Sequence, residues 1–153
     1  MRTLELRIPP PVVALLAALV MWGVSRNAVA SGTPELLRLP LAMTLALVGA
    51  AFDLSALMAF RRAKTTINPM KPQSTSSMVT SGVYRATRNP MYVGLVFLLG
   101  GWAVYLWTWW ALLGPVAFAA YITRFQIAPE ERVLIALFGA EYLTYKSQVR
   151  RWL

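Results

Sequence analysis

The sequence contains no cysteine and no histidine. Without cysteine there are no disulfides, thiolate nucleophiles, zinc knuckles or iron–sulfur clusters. Without histidine there is no Ser-His-Asp triad, no histidine metal ligand and no ordinary proton shuttle. Acidic residues are also scarce, since six Asp and Glu stand against fifteen Lys and Arg, for a net charge of +9. These absences predict a chain that binds no metal.

Charged residues are few as well. They make up 14% of the 153 residues, against about 25% in soluble proteins, while apolar residues make up 58%. This composition excludes a disordered chain and favours a membrane protein over a soluble enzyme. A strongly basic chain can bind nucleic acid, but the apolar fraction predicts instead a lipid bilayer with basic cytosolic edges, and no nucleic-acid partner.

Four windows are apolar enough to span a bilayer, which takes about 20 such residues. They are residues 11–30, 41–60, 91–110 and 111–128. The last two are contiguous and predict a tight helical hairpin, with Trp107, Trp109 and Trp110 at the bilayer surface. We therefore predict an all-α integral membrane bundle of about four transmembrane helices, forming a single domain over residues 1–153.

The basic residues orient this bundle. They concentrate before the first window, in the loop after the second window and after the fourth window. The other two connections carry little or no net charge. The positive-inside rule then places both termini and the middle loop in the cytosol, for a multi-pass protein of the inner membrane.

The first 30 residues allow a second interpretation. Arg2 and Arg7, the apolar run that follows, and Ala28-Val29-Ala30 resemble a cleavable signal peptide. Its removal would leave three spans and would place the basic loops on conflicting sides of the membrane.

Two polar stretches interrupt the apolar windows. The loop over residues 61–89 contains a turn signal at Ser81-Gly82, and Asn89-Pro90 predicts an N-cap and first helical residue. The simplest explanation of this loop is a helix cap whose arginines contact lipid phosphates. That explanation does not account for Tyr84, Tyr92 and Gly94.

The second polar stretch is the C-terminal segment, residues 129–153, which has an amphipathic helical pattern. Pro129 predicts a helix start, with Glu130 and Glu131 in a first turn where the helix dipole favours acids. Gly139 predicts a break within this helix.

Two motifs then appear in a fixed order. The first runs from Thr80-Ser81-Gly82-Val83-Tyr84 through Arg88-Asn89-Pro90-Met91-Tyr92 to Gly94, and the second comprises Glu130-Glu131, Leu134, Phe138-Gly139, Glu141-Tyr142, Tyr145 and Val149. Together they resemble the isoprenylcysteine carboxyl methyltransferase family and its phospholipid methyltransferase relatives. The resemblance covers residues 76–152, about half of the chain.

The resemblance implies an integral membrane enzyme that uses S-adenosylmethionine without a Rossmann domain, in agreement with the lack of a GxGxxG motif. It further implies a cofactor loop over residues 76–92. The implied cofactor-binding residues are Ser76, Ser77, Met78, Val79, Tyr84, Asn89, Pro90, Met91, Tyr92 and Glu130. Arg88 suits the carboxylate of the cofactor, and Arg124 and Glu131 are the candidate catalytic residues.

The chain departs from the family pattern at two positions. Asn89 stands where the family often has histidine, so a titrating base is not expected there. Gln126 stands where the eukaryotic carboxyl methyltransferases have arginine, one turn before Glu130. Arg124 either replaces that arginine at the acceptor or extends to the membrane surface.

The predicted function is methyl transfer from S-adenosylmethionine to a lipophilic small-molecule or lipid acceptor. The sequence identifies neither the accepting group nor the oligomeric state, although Gly100-Gly101 would permit close helix packing. Asp53, inside the second window, is either structural or part of the site wall. A structural Asp53 would pair with Arg124, or it would be protonated and hydrogen-bonded to a neighbouring helix. The alternatives are an NADPH-dependent enzyme resembling the sterol reductases and a non-catalytic membrane or lipid-binding protein.

Overall fold

The computed structural model describes residues 5–26, 35–63 and 77–153, and these residues contain helices but no strands. The α-helices are α1 (Pro10–Ser25), α2 (Glu35–Ala63), α3 (Pro90–Leu106), α4 (Leu113–Ile122) and α5 (Ala128–Gln148). Two 3-10 helices span Gly82–Arg85 and Trp109–Leu112, and a π-turn spans Thr123–Ile127. The all-α prediction is therefore confirmed for the described part of the chain.

Two helical stretches are long and apolar enough to cross a membrane, Leu36–Ala63 and Trp109–Gln148. α1 and α3 are shorter apolar helices of 16 and 17 residues. The outer faces of the bundle expose large apolar side chains, such as Val20, Leu47 and Val116, which suit contact with lipid. The described residues thus give two candidate spans, and the count of four spans stays a prediction.

α2 and α3 pack closely along a seam of small residues. A Cβ atom added to Gly101 would lie 2.7 Å from the carbonyl oxygen of Ala42, and one added to Gly49 would lie 2.7 Å from that of Gly94. Glycine at these positions therefore allows the two backbones to touch. Gly100 instead faces open space, so only the second glycine of the Gly100-Gly101 pair serves the α2–α3 seam.

The predicted hairpin between the third and fourth windows is confirmed. α3 ends at Trp107, which adopts a left-handed conformation with φ of 50° and donates its N–H to the carbonyl of Ala103. Such a residue is a common way to end a helix. The next helical turn begins at Trp109, and Trp109 and Trp110 are exposed at the hairpin tip.

α5 begins at Ala128, next to the predicted start at Pro129, but this start is not a free helix end. Ile127 and Ala128 have helical backbone angles, so α4 continues through the π-turn into α5 without interruption. Because no free helix N-terminus exists there, the helix dipole does not explain Glu130 and Glu131. The predicted break at Gly139 is confirmed, since its φ of 52° and ψ of −123° are not helical.

Backbone contacts define the two ends of the bundle. At one end, which we call the site end, Leu6 N–H donates to the carbonyl of Phe125, and Arg88 N–H donates to the carbonyl of Arg150. At the opposite end, the Ser25 and Thr108 hydroxyls lie 2.7 Å apart. The N-terminal residues from Glu5, the segment before α3 and the C-terminal residues therefore meet at the site end.

Candidate functional site

A buried polar contact joins α3 to the start of α5. Pro90 begins α3, which carries Tyr92 in its first turn, and the Tyr92 hydroxyl donates to Glu130 Oε1 at 2.7 Å. Gln126, which lies one turn before Glu130, donates to the same oxygen through Nε2 at 3.0 Å. Gln126 is only 2% exposed. Two neutral donors thus converge on one half-buried carboxylate at the site end.

An ionic cluster lies beside this contact and is centred on Glu131. Arg88 approaches Glu131 Oε1 through one guanidinium nitrogen at 2.8 Å, and Arg151 donates to both carboxylate oxygens at 3.0 and 2.7 Å. Lys146 Nζ lies 3.6 Å from Oε2. The hydrogen bond to Glu131 raises the pKa of Arg151 above its ordinary value. The cluster ties the segment before α3 to both ends of α5.

The C-terminal backbone completes the coordination of the segment before α3. Arg88 donates from one guanidinium nitrogen to the carbonyls of Lys146 and Val149, at 2.8 and 2.7 Å. The buried Thr87 hydroxyl and the Asn89 side-chain amide both donate to the carbonyl of Arg151, at 3.1 and 2.9 Å. Asn89 occupies the predicted N-cap position, but its side chain makes no cap hydrogen bond and binds the C-terminal chain instead.

An apolar cluster lies where α2 meets the segment before α3. Val79 and Tyr84 are buried against Ala56 of α2, and Met91 packs on the same cluster. The Tyr84 ring meets Phe60 edge to face at 5.6 Å. Burial raises the pKa of the Tyr84 phenol far above its ordinary value, and the neighbouring Tyr145 and Glu130 raise it further, so Tyr84 is a neutral wall.

Two predicted residues lie apart from these contacts. Arg124 is half-exposed and pairs with Glu5 at 3.2 Å. Asp53 packs against the backbone of Gly94, where an added Cβ would lie 2.3 Å from Asp53 Oδ1. Within the described residues Asp53 makes no hydrogen bond or ion pair, so neither the predicted pair with Arg124 nor the predicted hydrogen bond to a neighbouring helix is present there.

The remaining cofactor candidates come from the start of the predicted loop. Ser76 lies outside the described residues. The Ser77 hydroxyl donates to the carbonyl of Ala63 at 3.4 Å, and Met78 is half-buried. In residues 5–26, 35–63 and 77–153, no group of acidic side chains is arranged to hold a metal ion.

Sequence reasoning gave no site contact to Thr87 or Arg151, and it noted Gln126 only as a departure from the family pattern. Gln126 carried a usable signal, because it is an uncharged polar residue in an apolar stretch and lies four positions before Glu130, on the same helical face. Nothing in the local sequence marks Thr87 or Arg151, because their contact joins positions 64 residues apart.

The comparisons with known proteins identify a family. The model of the phospholipid methyltransferase family matches residues 37–141. An uncharacterised protein of Haemophilus influenzae is 46% identical over 63 residues, which are 41% of this chain and all of that protein. Protein-S-isoprenylcysteine O-methyltransferase A of Arabidopsis thaliana is 32% identical over 106 residues, which are 67% of this chain and 52% of that protein.

A third relative is named for a different methyl acceptor, a thiol. Methanethiol S-methyltransferase 1 of Bradyrhizobium diazoefficiens is 41% identical over 70 residues, which are 44% of this chain and 22% of that protein. The chain thus spans about half, or less, of the length of these named methyltransferases. No solved structure matches it. Since the family model covers more than half of the residues, the chain belongs to the phospholipid methyltransferase family, together with its isoprenylcysteine methyltransferase relatives.

Proposed function

We propose that the chain is a membrane-embedded methyltransferase that uses S-adenosylmethionine and methylates a lipophilic small molecule or lipid. One observation carries the proposal. Tyr92 and Glu130 come from two motifs 38 residues apart, and the first donates to the second at 2.7 Å. Both motifs resemble those of a methyltransferase family that lacks a Rossmann domain, so their contact supports a single cofactor site at the site end.

The polar groups present there fit the cofactor. Glu130 offers carboxylate oxygens to an amine or to ribose hydroxyls, and the Tyr84 and Tyr92 rings suit a sulfonium cation. Arg88 Nε is buried and has no hydrogen-bond partner among the described residues, which leaves one donor for an anionic group. The other nitrogens of Arg88 are engaged by Glu131 and by backbone carbonyls, so its predicted contact with the cofactor carboxylate would rest on Nε.

The cofactor, when bound, supplies a methyl group that is already activated as a sulfonium. The work left to the protein is therefore to bind, to orient and to exclude water. Tyr84, buried and neutral, excludes water beside α2. Arg124 and Glu131 stay our proposed catalytic residues, with Arg124 on the acceptor side because it is half-exposed near the end of the apolar run.

The acceptor class follows from the relatives only in broad terms. Their names specify an isoprenylcysteine and a small thiol. The isoprenyl chain of an isoprenylcysteine is apolar, which agrees with an apolar bundle that a substrate would enter sideways from the bilayer. We therefore propose a lipophilic acceptor without assigning its nucleophile.

We further propose that the site end faces the cytosol of a cell with an inner membrane. The site end carries most of the described basic residues, whereas Arg26 and Arg38 lie toward the other end. The positive-inside rule orients such a bundle with its basic end inside. Reporter fusions at residue 70 and at the C-terminus should both report cytosol, and a fusion near Gly32 should report periplasm. A periplasmic signal from the C-terminus would contradict this orientation.

Calorimetric titration of the purified full chain with S-adenosylhomocysteine tests the cofactor assignment. We expect binding at micromolar concentration, and Glu130→Gln and Tyr92→Phe should each weaken it by about 1–3 kcal/mol if they leave a buried group unpaired. Glu141→Gln is the matched control, because Glu141 is exposed and has no partner among the described residues. A parallel titration with NADPH tests the alternative that the chain is a reductase. Binding of NADPH alone, or of neither ligand, would contradict the proposal.

A further inference from the structure

A proline interrupts the hydrogen bonding of the helix that carries the candidate site, although the helical backbone continues through it. Pro129 has no N–H, so the carbonyl of Phe125, four residues earlier, lacks its ordinary helical donor. Leu6 N–H donates to that carbonyl at 3.1 Å. Leu6 has a φ of 57°, a conformation that leucine adopts only where its surroundings enforce it. The N-terminal residues Glu5 and Leu6, which we call the strap, thus bind the helix where its own hydrogen bonding is incomplete.

The strap also holds charges on both sides of this interruption. Glu5 pairs with Arg124, in the π-turn, and with Arg132, in α5. The two arginines are 50% and 57% exposed, whereas the Glu5 side chain is only 14% exposed. One carboxylate therefore joins the helical segments before and after Pro129 and lies largely under the two guanidinium groups.

The joined segments carry the donor and acceptor of the candidate site. Gln126 belongs to the π-turn, and Glu130 belongs to α5, one residue after Pro129. Their 3.0 Å hydrogen bond spans the same interruption on the buried face, while Glu5 spans it on the exposed face. A π-turn is a rare element that occurs mostly as a single turn inside an α-helix, frequently at functional sites. Loss of the strap would let the two segments rotate, and Glu130 would move relative to Gln126 and Tyr92.

We propose that Glu5 is a positioning residue of the cofactor site, fixing the π-turn that presents Gln126 to Glu130. The assignment of the site to S-adenosylmethionine rests on the function proposed above. The mechanical part, that Glu5 fixes the π-turn, does not depend on any ligand. Glu5 does not touch the candidate site itself and acts through Arg124 and Arg132.

Two measurements on the full chain in lipid nanodiscs test the proposal. Hydrogen–deuterium exchange reports on the amides of residues 123–131, and calorimetry gives the affinity for S-adenosylhomocysteine. Glu5→Gln removes the charge but keeps the size of the side chain. We expect faster exchange at residues 123–131 and about fivefold weaker binding, in the range of a half-exposed ion pair. Glu141→Gln, which changes an exposed glutamate on the same helix, should alter neither measurement.

A second variant checks that the effect passes through the described contact. Arg132→Gln, which leaves only the pair of Glu5 with Arg124, should reproduce part of the losses of Glu5→Gln. The double variant should lose little more than Glu5→Gln alone, because Glu5→Gln already removes both ion pairs. Additive losses would overturn the proposed route.

The outcomes separate this proposal from the proposed function. Faster exchange with unchanged affinity would mean that Glu5 is merely structural and would overturn the positioning role. Unchanged exchange would overturn it outright. A wild-type chain that binds no S-adenosylhomocysteine would contradict the proposed function, while the exchange measurement would still decide whether Glu5 fixes the π-turn.

Discussion

The guanidinium of Arg88 and the carboxylate of Glu131 lie 2.8 Å apart, with side chains that are 8% and 7% exposed. This buried ion pair connects the residue just before Asn89-Pro90 with the residue just after Glu130. Each partner therefore neighbours the hydrogen bond between Tyr92 and Glu130, so the geometry of the candidate site depends on an ionic contact next to it.

Removing one partner of this pair should be costly. Glu131→Gln leaves the buried guanidinium of Arg88 without its counter-charge, and such losses typically destabilise by about 3–5 kcal/mol. We expect a clearly lower midpoint of thermal unfolding, measured by circular dichroism in detergent. Arg85→Gln is the control, because Arg85 is exposed and has no partner among the described residues. Equal midpoints for Glu131→Gln and the control would refute a structural role for the pair.

Adjacent glycines of α3 should respond differently to the same substitution. Gly101→Ala would place a methyl group 2.7 Å from the carbonyl oxygen of Ala42, so α2 and α3 must separate, at a cost of about 1–3 kcal/mol. Gly100→Ala meets nothing within 4 Å and should keep or slightly raise stability. Thermal unfolding of the two variants side by side measures the difference. If Gly100→Ala were the more damaging change, the α2–α3 seam would be wrongly placed, or Gly100 would contact another chain.

Asp53 should be dispensable for folding. Its carboxylate has no partner among the described residues, and a lone charge within an apolar helix is unfavourable. Asp53→Asn keeps the shape beside Gly94 and removes the charge, so the unfolding midpoint should stay the same or rise. Gly94→Ala, at the contacting position, should lower it, because a Cβ there would also lie 2.8 Å from the carbonyl oxygen of Gly49. A large loss of stability in Asp53→Asn would reveal an ionic partner.

Short stretches of sequence correctly predicted the features of the fold that depend on neighbouring residues. The hairpin after α3 followed from two contiguous apolar windows, and the break at Gly139 followed from the freedom of glycine at positive φ. Pro129 shows the limit of such patterns. A proline is equally compatible with the first turn of a new helix and with an interruption inside a longer one. Here a donor from Leu6, more than a hundred residues away, satisfies the carbonyl that Pro129 leaves free.

The candidate site was predicted in part. The two motifs indicated Tyr92 and Glu130, and their hydrogen bond brings the motifs together. The partners of Arg88 were not predictable, because its hydrogen bonds reach carbonyls about 60 residues later, which no periodicity encodes. The contact between Glu5 and Arg124 was likewise not predictable, since the sequence offers many basic residues as partners for one carboxylate near the N-terminus.

The π-turn has a consequence for how this chain is aligned with others. A π-turn contains one residue more than the α-helical turn it replaces, so deleting one residue within Thr123–Ile127 would restore regular helix and leave Glu130 and Glu131 in their present register. A relative with regular helix here would be one residue shorter, and aligning it without a gap would shift every later position by one. A gap misplaced by one position would exchange the two glutamates, and with them a hydrogen-bond acceptor for Tyr92 and an ion-pair partner for Arg88.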